Sequence, residues 1–225
     1  MKRKLGSSIL LALCSIIASH AQISWNAQAG INMSSLSGYH TKFDLKSGMS
    51  YQASVGMDYC FYSKNFYLSP SIQFTSRSFK AEGYSSSSFE DVISHYKDSY
   101  TAYYLNLPIM VNYKFDLGKN FRLGLGTGPY LGYGIGGNIK REANTSGRIE
   151  TNERDYFGSK EDSKSGKVFT SNRFDFGWTA GVTLDYQVFF LSVTGSWGIT
   201  GQKVNESDSN KPTNNGYALT LGYRF

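Results

Sequence analysis

Residues 103–115 read YYLNLPIMVNYKF, and this stretch decides the fold class. Tyr103, Leu105, Leu107, Ile109, Val111, Tyr113 and Phe115 share one parity, while Tyr104, Asn106, Pro108, Met110, Asn112 and Lys114 share the other. Successive side chains of a strand point to opposite faces, so the pattern predicts a strand with one apolar and one mixed, more polar face. Seven further segments alternate in the same way: 25–33, 49–59, 66–75, 121–134, 173–185, 189–198 and 216–225. In 121–134 the face opposite Leu123, Leu125, Leu131 and Tyr133 is a run of glycines at 124, 126, 128, 132 and 134.

Charge provides a check on the registers. Asp58, Arg77, Lys114, Arg122, Arg173, Asp175, Asp185 and Arg224 lie in or at the edge of these segments, all on the non-apolar parity. A Lys or Arg facing mid-bilayer hydrocarbon costs about 2–4 kcal/mol, whereas a barrel lumen tolerates charge. The connections alternate too. Short turns at 61–65, 116–120 and 186–188 separate long polar loops at about 35–47, 79–98, 136–171 and 200–214. Short periplasmic turns and longer extracellular loops are the pattern of a bacterial outer-membrane barrel. Aromatics gather at strand ends, with Trp25, Tyr59, Phe66, Tyr113, Phe115, Phe121, Phe189 and Phe225 at one rim and Phe74, Tyr103, Tyr133, Phe174, Trp197 and Tyr217 toward the other. The reading is all-β: an eight-stranded antiparallel up-and-down transmembrane barrel in the outer membrane of a Gram-negative envelope. A soluble barrel would put the apolar faces inside, but so small a lumen has no room for this many Phe, Tyr and Trp side chains.

The first 21 residues read as a cleaved signal peptide. Lys2, Arg3 and Lys4 precede an apolar run from Leu5 to Ala18 that is too short to span a bilayer as a helix. Ser19 and Ala21 are small residues of the kind a signal peptidase requires, placing the cut between Ala21 and Gln22 and leaving 22–225 as one barrel domain. Losing those three cations takes the net charge from +6 to +3, so the basic pI is no sign of nucleic-acid binding. Of the two cysteines Cys14 departs with the leader and Cys60 remains, which excludes an intramolecular disulfide. An aromatic content of 16% fits strands, and a hydrophobic content of only 40% fits a barrel whose strands are apolar on one face.

Two motifs carry a family resemblance. The 103–115 strand and residues 126–133, GTGPYLGY, resemble consecutive strands of the PorT-like outer-membrane β-barrel proteins, and Gly30-Ile31-Asn32 fits that family's opening strand. The resemblance spans the mature chain. It implies the barrel fold and an accessory role in protein secretion. The final strand, with Tyr217, Leu219, Leu221, Tyr223 and Phe225 at alternate positions, resembles the C-terminal signal read by the barrel-assembly machinery.

Chemistry is sparse in the sequence. The mature histidines, His40 and His95, fall in predicted outer loops, and Ser85 to Ser88 and Asp91 near His95 form a Ser-rich polar loop rather than a marked base–orienter pair. No His/Cys cluster has ligand spacing for a metal, and no cofactor is expected. Asp58, Lys114, Arg122, Arg173, Asp175, Asp185 and Arg224 are read as a structural charge network filling the lumen. The loop 136–171 carries seven basic and six acidic residues, a balanced, solvated composition. Expected partners are outer-membrane lipid and lipopolysaccharide, the assembly machinery during biogenesis and a protein met by the outer loops. A non-enzymatic structural, accessory or binding role leads. A lipid-modifying barrel enzyme and a small diffusion pore are the alternatives.

Overall fold

The computed structural model describes residues 23–37, 44–62, 64–86, 93–145, 148–157, 172–201 and 213–225. These contain nine strands: β1 (Ile23–Ser37), β2 (Asp44–Tyr62), β3 (Phe66–Ser86), β4 (Ile93–Asp116), β5 (Phe121–Thr145), β6 (Arg148–Asp155), β7 (Phe174–Tyr186), β8 (Phe189–Gly198) and β9 (Thr213–Arg224). Eight of them close a ring, in the order β1-β2-β3-β4-β5-β7-β8-β9 and back to β1, every pairing antiparallel. The seam is β1 against β9, where Trp25 and Phe225 exchange backbone hydrogen bonds of 3.1 and 2.9 Å. Closure removes free edges within the membrane, where an unpaired backbone amide has no water to turn to. The chain is an all-β antiparallel barrel, with both described ends at the rim of the short turns.

Parity sets the two surfaces. On β4, Leu105, Leu107, Ile109 and Val111 are exposed on the outside, while Tyr104, Asn106 and Lys114 are buried inside. Gly124, Gly126, Gly128, Gly132 and Gly134 of β5 and Gly222 of β9 lie on the inner wall, and lumen side chains occupy space that some of them leave. A Cβ at Gly222 would meet the ring of Phe190, and one at Gly134 would meet that of Phe157. Aromatic rings girdle both ends of the outer wall. Phe66–Tyr113, Phe121–Tyr186 and Phe189–Tyr223 pack with centroids 4.7, 4.7 and 5.5 Å apart at the turn end. Tyr51–Phe74–Tyr103, Tyr133–Phe174 and Trp197–Tyr217 form the outer ring.

The structure departs from the sequence reading outside the membrane. Part of the expected loop 79–98 is strand, because β3 runs on to Ser86 and β4 begins at Ile93. Part of 136–171 is a hairpin, with β5 continuing to Thr145 and β6 pairing back onto it from Asn138↔Asp155 to Thr145↔Arg148. Backbone pairing extends these strands past the lipid-facing rows, where the outer face meets water and carries polar residues such as Lys80, Ser99 and Lys140, so no apolar outer face marks them. The wall is therefore lopsided. β4 and β5 have 24 and 25 residues against 10 in β8, and about 9–11 suffice to cross the bilayer. The surplus forms an extracellular blade of β3 to β6.

Candidate functional site

Two groups of buried charge cross the lumen. At the turn end, Lys114 Nζ donates to Asp58 Oδ2 at 2.8 Å, Arg224 Nε donates to the same oxygen at 3.1 Å, and Ser69 Oγ donates to Asp58 Oδ1 at 2.7 Å. Asp185 faces the same cations, 2.9 Å from Arg224 and 3.6 Å from Lys114. Its carboxylate lacks an aligned hydrogen bond among the described residues, so charge holds it there. Aromatic faces complete the shell, with Lys114 4.5 Å from the Tyr67 ring centre and Arg224 4.7 Å from that of Phe190. The group ties together β2, β3, β4, β7, β8 and β9. A polar cavity of about 80 Å3 adjoins it, lined by Asn26, Asn112, Ser192 and Thr194 among others, and is large enough to hold water.

Nearer the outside, Arg77 Nη1 donates to Asp175 Oδ2 at 2.5 Å, with Tyr130 and Thr200 hydroxyls donating to the same carboxylate at 3.3 and 3.1 Å. The Arg77 guanidinium lies 4.3 Å from the centre of the Tyr104 ring. Above this layer the mouth is filled by aromatics. Phe79 and Tyr100 stack at 4.6 Å, Tyr156 meets Phe79 edge-on at 6.3 Å, and Phe157 meets Tyr104 at 5.7 Å. Tyr156 and Phe157 directly follow β6, so the hairpin that builds the blade also delivers the cap of the lumen. Tyr156 N–H donates to the Gly137 carbonyl at 3.1 Å, which anchors that return.

Of the sequence-predicted lumen charges, Asp58, Lys114, Asp185 and Arg224 meet at the turn end and Asp175 belongs to the upper layer. Arg122 stands at the rim, 4.0 Å from Asp185 and over a third exposed. Arg173 stays outside the network, exposed at the mouth, donating to the Gly134 carbonyl at 3.0 Å and lying over the Phe157 ring. Arg77 was legible as a lumen residue by parity, but its partner was not. Tyr156 and Phe157 carried no periodic signal. Tyr217, Leu219, Leu221, Tyr223 and Phe225 all project from the outer face of β9 and its last residue. Ala21, Gln22 and His40 lie outside the described residues. His95 is on β4, opposite Tyr84 and Asn144. Among the described residues no three of His, Cys, Asp and Glu are grouped as metal ligands.

Residues 18–202 match the family described as the outer membrane protein beta-barrel domain. This chain belongs to that family. Its place is the outer membrane, and its outer wall contacts lipid. Solved outer-membrane proteins resemble the chain at low identity. Neisserial surface protein A is 14% identical over 92% of this chain and 100% of its own, with a TM-score of 0.41. OprG from Pseudomonas aeruginosa is 11% identical over 92% and 97%, with a TM-score of 0.42. The outer membrane enzyme PagL is 12% identical over 88% and 98%, at 0.40. Such distant likenesses carry no argument about role. No curated protein matches the chain.

Proposed function

We propose that this family member is a non-enzymatic binding or accessory protein whose extracellular blade meets a protein partner, the filled barrel serving as its rigid base. The observation that carries this reading is the continuation of β3 to β6 well beyond the outer aromatic ring, above a lumen crossed by ion pairs and capped by Tyr156 and Phe157. A rigid scaffold that presents an exposed element is where binding tends to reside. Among the described residues β6 ends the sheet order, with β5 as its one paired neighbour. That strand carries Arg148, Glu150, Glu153, Arg154 and Asp155, and charge of this density discourages the addition of a foreign strand. The partner would therefore read side chains. The PorT-like strand motifs support an accessory part in protein secretion, and assembly machinery and lipopolysaccharide are contacts the fold leads us to expect.

The test shortens the blade. Lys140 and Glu153 are register partners, so replacing 141–152 with a two-residue Asn-Gly turn closes the hairpin without disturbing the cap. Crosslinking in intact outer membranes followed by pull-down should recover a protein with the full chain and lose it with the shortened one. Equal recovery from both would exclude the β5–β6 hairpin of the blade as the contact.

A further inference from the structure

We propose that two copies of this chain pair in the membrane through the wall around the β1–β9 seam, each setting Leu221 and Tyr223 into an apolar hollow of the other. The hollow lies on the outer wall and measures about 700 Å3. Its floor is Ala27, Ala29 and Ala53, at outward positions where the rest of the wall mostly carries large side chains. The register sets its sides. Across the seam Tyr223 is opposite Ala27 and Leu221 opposite Ala29, and on β3 Ile72 and Phe74 are opposite Val55 and Ala53.

A second group of small outward residues is treated differently. Thr127, Ala180 and Gly195 are side by side on β5, β7 and β8, and there the chain covers its own gap. A Cβ at Gly195 would meet the Trp197 ring, and Trp178 Nε1 donates to Thr127 Oγ1 at 2.7 Å. The alanine hollow stays open. Fluid acyl chains follow any wall, so a hollow gains nothing from lipid alone. A rigid neighbour is different. Two convex barrel walls touch along a line unless one is recessed where the other protrudes, and close packing is what holds proteins together in a membrane.

A second copy fits because the protrusion adjoins the recess. Two copies inserted the same way are related by a twofold axis along the membrane normal, which sets a patch on one side of the axis against the patch on its other side at the same height. With the axis at the seam, β1 and β2 of one copy face β9 and β8 of the other. Register partners on adjacent strands differ in height by only about 3 Å at a tilt of roughly 40°. The alanines of each copy therefore meet the ridge of the other, where Leu221 is 62% exposed. Four strands, about 19 Å, across an apolar band about 25 Å tall give on the order of 600 Å2 per copy. The total of about 1,200 Å2 reaches what a stable interface needs. β8 and β9 have 10 and 12 residues against 24 and 25 in β4 and β5, so the seam is the low side of the ring. The blade stands on the opposite side, clear of the contact.

The experiment is cysteine crosslinking in outer membranes, in a Cys60→Ser background, joined to a dissociation constant from sedimentation equilibrium in detergent. Oxidation with copper phenanthroline should join Ala29→Cys, beside the axis, into a product of twice the chain mass. Leu131→Cys, exposed on β5 across the ring, should stay monomeric. Leu221→Ala, which cuts down the ridge, should raise the dissociation constant about tenfold. Ala29→Phe with Ala53→Phe, which fills the hollow, should abolish the dimer, with heat-modifiable gel mobility showing that the barrel still forms. If that double variant does not fold, Leu221→Ala alone decides. Equal crosslinking at 29 and 131, a product of any other mass, no product in membranes, a dissociation constant unmoved by Leu221→Ala, or a filled hollow that still dimerises would each overturn the proposal.

Discussion

Ile109 and Met110 are chain neighbours with opposite surroundings. Ile109 is 41% exposed on the outer wall, while Met110 lines the lower lumen cavity. Arg at Ile109 meets hydrocarbon and should lower folding stability in lipid vesicles by about 2–4 kcal/mol. Arg at Asn112 enters a polar cavity and should cost distinctly less, as read from urea titrations followed by heat-modifiable gel mobility. Similar losses at both sites would contradict the facing. Asp58 gives a sharper test. It accepts from Lys114, Arg224 and Ser69 together, and Asp58→Asn leaves two cations facing Asp185 alone. Removing one partner of a buried pair typically costs 3–5 kcal/mol, and the adjoining cavity, large enough for water, places this case near about 3 kcal/mol. Since the unfolded chain carries no such network, the same titration reads the loss directly. A variant within 1 kcal/mol of wild type, on the order of measurement scatter, would show the network to be dispensable.

At the level of elements, β5 and β6 divide one hairpin between two tasks. Residues 121–133 of β5 pair with β7 inside the membrane, and 138–145 pair with β6 above it. Shortening that hairpin at Lys140–Glu153 should therefore leave the eight-stranded ring intact. The expected result is full heat-modifiability and a urea midpoint close to wild type; loss of membrane insertion would mean that β6 is part of the folding unit. The three prolines of the barrel wall show how the ring absorbs a missing amide. The β3–β4 ladder is interrupted just past Pro70 and the β4–β5 ladder just past Pro108, and both resume in register. The alternation of 103–115 was readable through Pro108 because facing is set by the pleat, not by each hydrogen bond.

For the whole molecule, the stacked layers decide conduction. An ion entering from outside meets the Tyr156–Phe157 cap, then the Arg77–Asp175 pair, then the Asp58–Lys114–Asp185–Arg224 group. Eight strands leave an interior that side chains fill. In planar bilayers the wild-type protein should show no steady porin-like current. Tyr156→Ala with Phe157→Ala removes only the cap and should stay silent, whereas adding Arg77→Ala and Asp175→Ala should produce brief, small openings. Large, regular channels from wild type would make the protein a pore and displace the scaffold reading.

The sequence by itself determined the barrel: strand number in the ring, facing and the two aromatic rings, while of the charges it placed inside, Arg173 stands exposed at the mouth and Arg122 at the rim. The first three follow from period-2 alternation against a solvent that punishes polar groups on one side only, so a single chain position carries the answer. Tertiary structure alone decided what depends on distance between strands. Parity put Arg77 and Asp175 inside, but they are 98 residues apart, and only the closed ring makes them a pair. The blade and its cap were illegible for a different reason. Beyond the bilayer the outer face of a strand meets water, the lipid-driven alternation disappears, and polar residues of β6 look like any solvated loop until β5 is there to pair with them.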